Sequence, residues 1–146
     1  MLKAKEVELS YKREKKIDRE RLMSSEDIHK FALKFYDENT IEFREYAYVI
    51  LMNNSLKPNG WYKVSEGGLN ETLIDVRLIM QAALLSNSTI IALVHNHPSG
   101  SVRPSRDDDR LTERVKKASE LLNIKFIDHV IVTPDAYYSY NDEGRL

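Results

Sequence analysis

Two histidines one residue apart, His95 and His97, and a later aspartate, Asp108, are side chains whose types and spacing suit metal chemistry. They lie in the stretch Val94 to Asp108, which reads Val-His-Asn-His-Pro-Ser-Gly-Ser-Val-Arg-Pro-Ser-Arg-Asp-Asp. In extended backbone alternate side chains share a face, so His95 and His97 point the same way and can share one ion. Pro98 and Gly100 end the strand, and the chain turns back to offer Asp108, in the first turn of the next helix, as a third, anionic ligand. Two histidines and one carboxylate leave the fourth tetrahedral position to water. That is the composition of a catalytic zinc site, one Zn2+ per chain, and not of a closed structural one. A plainer reading stands beside it: the histidines as hydrogen-bonded residues at a strand end, and Ser105 with Asp108 as a helix cap. Each piece alone is more often the plain thing. Together, two same-face histidines followed by a capped helix that carries a carboxylate are hard to explain by packing. Capping is also compatible with ligation, because the cap fixes the helix start from which Asp108 projects.

The elements that must position these residues follow from periodicity. Residues 46–52, Tyr-Ala-Tyr-Val-Ile-Leu-Met, and Thr89 to Val94 are continuous apolar runs, as expected of strands buried on both faces. A turn at Pro58, Asn59 and Gly60 into Trp61 to Val64 predicts a hairpin with the first of them. Ser24 or Ser25 caps a helix expected to run to about Tyr36, and Asp75 caps another ending near Asn87. Pro104 and Ser105 open a third, with Leu111, Val115, Ala118 and Leu122 on one face. Ile124 to Val132 and Tyr137 to Tyr140 return as strands. The pattern predicts one α/β or α+β domain with helices on a mixed sheet, spanning residues 25–146. It is preceded by an extended arm, residues 1–24, in which Val7, Leu9 and Tyr11 alternate as in an edge strand.

The totals set outer bounds. The 146 residues suit a single core, and the absence of cysteine excludes disulfides and thiolate metal sites. A net charge of -1 gives no global reason to expect nucleic acid or an anionic membrane as partner. The basic run Lys12, Arg13, Lys15 and Lys16 is interrupted by Glu14 and reads as a solvated arm. No apolar run is long enough to span a bilayer and no signal-peptide core opens the chain, so the cytoplasm is the expected location.

These motifs resemble the JAMM or MPN-type metalloproteases, and within them the RadC-like bacterial proteins. The family's pattern is present as His95-x-His97-Pro98 and Ser105-x-x-Asp108, and the RadC-type wording His-Asn-His-Pro-Ser-Gly is there too. Ser65-Glu66-Gly67-Gly68, Asp75 with Arg77, Leu122-Asn123-Ile124, Asp128-His129 and Tyr138-Ser139-Tyr140 extend the likeness over about residues 25–146. The helix-hairpin-helix segment of longer relatives is not recognisable. The resemblance implies a JAB/MPN, cytidine-deaminase-like architecture, zinc on His95, His97 and Asp108, and hydrolysis of peptide or isopeptide bonds. It also implies a glutamate acting through water, for which Glu45, immediately before the strand at Tyr46, is the best candidate, with Glu42 and Glu66 as alternatives. The serine matching Ser105 is assigned to oxyanion stabilisation, a role that competes with capping for one hydroxyl. Asn96 stands where eukaryotic members carry serine or threonine, and it faces away from the metal.

Other residues carry less. His129 reads as a second partner behind the ligands or, preferably, a structural buried histidine, and His29 as solvent-facing. Trp61 and Tyr62 with Tyr137, Tyr138 and Tyr140 could line a groove for an extended peptide, although strand aromatics are more often core. A different class of function remains: a DNA-repair or mobile-element-associated protein acting as a DNA- or protein-binding module around a non-catalytic metal site. Its mark would be salt-sensitive DNA binding that survives loss of both histidines.

Overall fold

A computed structural model describes residues 4–12, 19–67 and 74–146. The Gly68 end of the Ser65–Gly68 landmark, and Arg13, Lys15 and Lys16 of the basic run, lie outside the described residues. Among the described residues the order is α1 (Ser25–Leu33), β1 (Tyr46–Met52), β2 (Pro58–Glu66), α2 (Val76–Leu85), β3 (Ile90–Asn96), α3 (Arg106–Leu121), β4 (Lys125–Val132) and β5 (Tyr137–Ser139). The strands form one mixed sheet in the order β2-β1-β3-β4-β5, in which only β3 and β4 run parallel. This is the α/β architecture expected, and it is consistent with a JAB/MPN fold.

Strand alternation divides the core into two layers. Tyr46, Tyr48, Ile50 and Met52 of β1 pack with Ile90, Ala92 and Val94 of β3 and with Val130 and Val132 of β4 against α1. Ala47, Val49 and Leu51 pack with Ile91 and Leu93 against α2 and Val115 of α3. Both faces of β1 and β3 are therefore covered, which is why their sequences are apolar without interruption. The same alternation places His95 on the α3 face and Asn96 on the α1 face.

Several local expectations need correction. The hairpin turn lies at residues 53–57, where the Asn53 carboxamide accepts the amides of Ser55 and Lys57 and Leu56 takes φ 62°. Pro58 begins β2, a place open to proline because β2 is a sheet edge. Helix α1 stops at Leu33, since the Phe35 and Tyr36 amides close onto Ala32 and the two rings turn into the aromatic layer with Tyr48. Asp75 caps α2 as expected, and the helix ends at Leu85, close to the expected Asn87, which takes φ 52°. His29 is buried, with its Nε2 donating to the Thr133 carbonyl at 2.9 Å, so it does not face solvent.

The arm makes no strand over residues 4–12, where Val7 and Leu9 are exposed and Tyr11 donates from its hydroxyl to the Asn59 carbonyl. Trp61 and Tyr62 stand at the β2 edge and the tyrosines of β5 at the opposite edge, so they do not line one groove. No helix among the described residues is long and apolar enough to cross a membrane.

Candidate metal centre

The centre sits at the carboxyl end of β3, beside its parallel neighbour β4, which is where open α/β sheets commonly bind ligands. β1 runs antiparallel to β3 with Ala47 opposite His95, so the start of β1 is brought to the end of β3. Glu45, immediately before β1, is thereby placed with the histidines: one carboxylate oxygen and the two imidazole ligand nitrogens lie within 4.8 Å of one another. Beyond β3, Pro98 and Ser99 make a turn closed by the Gly100 amide onto the His97 carbonyl, and Gly100 takes φ +81°, a conformation that favours glycine.

The return segment ends at Ser105, the N-cap of α3. Ser105 Oγ accepts the Asp108 amide at 3.0 Å, and Asp108 Oδ2 accepts the Ser105 amide at 2.8 Å. This reciprocal capping box holds the Asp108 carboxylate against both histidines, 3.1 Å from His95 Nε2 and 3.1 Å from His97 Nε2. The two Nε2 atoms are 3.0 Å apart. A tetrahedral zinc about 2.0 Å from each ligand spaces them about 3.3 Å apart, close to the separation of the two Nε2 atoms and of each from its nearer Asp108 oxygen.

The donor set fits as well. His97 Nδ1 is 2.9 Å from the Ser101 carbonyl, which can only accept, so the ring proton belongs on Nδ1 and the lone pair on Nε2. Such acceptor atoms beside a carboxylate need positive charge among them, whether protons or a cation. Burial alone would raise the Asp108 carboxyl, but the adjacent His95 and His97 imidazoles and the Ser105 amide hold it far below the carboxylate range. Burial alone would lower His97, but Asp108 outweighs it and the imidazole is raised. Glu45 is raised by burial, against the pull of His95 and His97.

Among the glutamates, Glu42 is exposed, and Glu66 is spent on Arg44 and Lys63 at 3.3 and 3.8 Å. Only Glu45 of the three groups with the histidines. Asn96 does face away, and its burial gives it a part that the sequence reading missed. Its Nδ2 donates to the carbonyls of Ile41 and Arg44, and its Oδ1 accepts the Tyr46 amide at 2.7 Å. These bonds clamp the chain on both sides of Glu45. Ser105 is exposed, and capping uses an oxygen lone pair while its hydroxyl hydrogen has no acceptor among the described residues. Capping and donation therefore use different parts of the hydroxyl and do not compete.

His129 is buried on β4 with its Nε2 2.7 Å from His95 Nδ1, and its ring stacks on Tyr140 at 4.9 Å between centroids. Burial drives the His129 imidazole well below its ordinary range. The sequence could signal this only through an unusual histidine within an apolar strand. Its distance from His95 in the chain hides the contact.

Residues 22–145 match the RadC-like JAB domain family. The chain is 42% identical over 100 residues to a UPF0758 protein of Flavobacterium johnsoniae, covering 68% of this chain and 44% of that one. It is 48% identical over 104 residues to a UPF0758 protein of Porphyromonas gingivalis, 70% of this chain and 46% of that one. A UPF0758 protein of Thermotoga maritima is 34% identical over 142 residues, 96% of this chain and 62% of that one. The chain thus spans about half the length of the curated relatives it matches. By the extent of the family match and by these identities, the chain belongs to the RadC-like JAB domain family.

Proposed function

We propose that this protein is a zinc-dependent hydrolase of peptide or isopeptide bonds. The observation that carries the reading is the convergence of His95 Nε2 and His97 Nε2, 3.0 Å apart, on the Asp108 carboxylate, with His95 3.1 Å from Oδ1, His97 3.1 Å from Oδ2 and Glu45 beside them. His95, His97 and Asp108 would hold the ion. Bound there, zinc would supply a Lewis acid that acidifies water to a pKa of about 7 and polarises a carbonyl.

Glu45 is placed to take a proton from the attacking water as its oxygen bonds to the carbonyl carbon. The same carboxyl then returns the proton to the departing nitrogen as the C–N bond breaks, so that water is divided between an acid and an amine. The partial burial that raises Glu45 suits it to carry a proton briefly, although a neighbouring cation pulls in the other direction. Ser105 presents a hydroxyl hydrogen to the oxyanion that develops on the former carbonyl oxygen.

Elemental mass spectrometry on purified protein and on His97→Ala and Asp108→Ala variants tests the site. About one zinc per chain, lost in both variants, is expected, followed by chelator-sensitive cleavage in a screen of peptide and isopeptide substrates. If no metal is taken up after zinc is added back, the hydrolase reading fails and a DNA- or protein-binding module takes its place.

A further inference from the structure

We infer that Thr112 and His129 form a tautomer lock behind the metal centre, which makes His95 present a bare Nε2 to the ion. Resting on the metal-site reading above, it adds two positioning residues that touch neither ion nor substrate. The lock is built from α3 and β4, whose side chains meet over His95.

Hydrogen counting sets its direction. Thr112 Oγ1 has one hydrogen and makes two short hydrogen-bond contacts, to the Asp108 carbonyl oxygen at 2.8 Å and His129 Nδ1 at 2.6 Å, while the nearby Tyr140 hydroxyl donates to Asp109. The carbonyl can only accept, so it takes the hydroxyl hydrogen, and His129 Nδ1 must donate to the threonine oxygen. His129 is fully buried and no carboxylate among the described residues is bonded to its ring, so it carries one ring proton and its Nε2 is a lone pair. His95 Nδ1, 2.7 Å away, must then donate to that lone pair. A His95 proton is thereby held on Nδ1, and Nε2 is the nitrogen turned toward His97 and Asp108 as the ligand atom.

The Thr112 hydroxyl bonds the backbone of Asp108, so one side chain ties the orientation of one ligand to the backbone of another. His97 obtains its tautomer more simply, from the Ser101 carbonyl. His95 is buried within the sheet, and its Nδ1 takes its partner from a side chain instead.

The test uses Thr112→Val and His129→Phe, with Thr112→Ser and His129→Gln as conservative partners. Valine keeps the volume of threonine and removes the acceptor, which frees His129 to move its proton to Nε2 and to drive that of His95 onto the ligand nitrogen. Phenylalanine keeps the stack on Tyr140 and leaves His95 Nδ1 without an acceptor. Zinc affinity, measured by chelator competition, is expected to fall about 10- to 100-fold in both, the usual effect of removing a partner behind a ligand, and to stay near wild type in Thr112→Ser and His129→Gln.

Nitrogen-15 NMR of the histidine rings in the wild-type metal-free protein is expected to place the His129 proton on Nδ1. A His129 proton on Nε2, or Thr112→Val binding zinc within about threefold of wild type, overturns the lock. Should His129→Phe fail to fold, Thr112→Val decides. If the wild type takes up no zinc, the metal reading fails, whereas the NMR result still decides whether the ring protons are arranged as inferred.

Discussion

At Glu45 a carboxylate stands with two imidazoles in a group that could hold a metal, and its position is set by backbone on both sides. Asn96 supplies that hold through bonds to the carbonyls of Ile41 and Arg44 and to the Tyr46 amide. Asn96→Ala should leave these groups without their partner and destabilise the protein by about 1–3 kcal/mol in urea unfolding. Its kcat for any cleaved substrate should fall while zinc content stays at one per chain. Glu45→Gln should keep its zinc and the fold, and lose 10²-fold or more in kcat, since the amide cannot accept the proton of the attacking water. Full activity of Glu45→Gln would remove this residue from the reaction. Neither contact is visible in the chain as text: Glu45 follows from the family resemblance and its place before an apolar strand, and the resemblance gives Asn96 no more than a position facing away from the metal.

Helix α3 joins two functions at one end. Its capping box holds Asp108 against the histidines, and its buried stripe, Asp108, Thr112, Val115 and Ser119, is mostly polar. Of the expected stripe, Val115 lies in the core and Leu111 and Ala118 pack against it, while Leu122, the C-cap, is 41% exposed, and the first turns add Asp108 and Thr112 to the buried side. Amphipathic counting finds the apolar side that meets the core, and it misses Asp108 and Thr112 because their polar side chains are buried against imidazoles. Ser105→Gly and Ser105→Ala separate the roles of the cap. Glycine at an N-cap costs a few tenths of a kcal/mol and alanine about 1 kcal/mol, so only alanine should lower the unfolding midpoint appreciably. Both should lose the donor to the oxyanion and with it about 10²-fold in kcat. Near-wild-type turnover of Ser105→Gly would leave the hydroxyl with capping alone.

Over the whole molecule, the antiparallel β1–β3 pair and the parallel β3–β4 pair gather the centre from distant parts of the chain. The ion would tie β3 to α3, so chelation should lower the melting temperature of the wild type and leave that of His97→Ala unchanged. Away from the centre, burial raises the Asp128 carboxyl from 3.8 to about 6, against hydrogen bonds from Ser139, the Asn141 amide and the His129 amide. The folded protein then holds this proton more tightly than the unfolded chain. Its contribution to stability is complete below pH 4 and is lost as pH rises through about 6. The wild type should therefore lose up to about 3 kcal/mol relative to Asp128→Asn between pH 4 and pH 8 in urea unfolding, and parallel curves would show that Asp128 does not titrate there. Strand periodicity, helix caps and the spacing of His95, His97, Ser105 and Asp108 are local, so the sequence alone determined the fold class, the elements and the candidate ligands. The placing of Glu45, the clamp by Asn96 and the contact of His129 with His95 depend on which strands pair and in what register. Those are settled by burial of both sheet faces in the folded chain, and only the tertiary structure decided them.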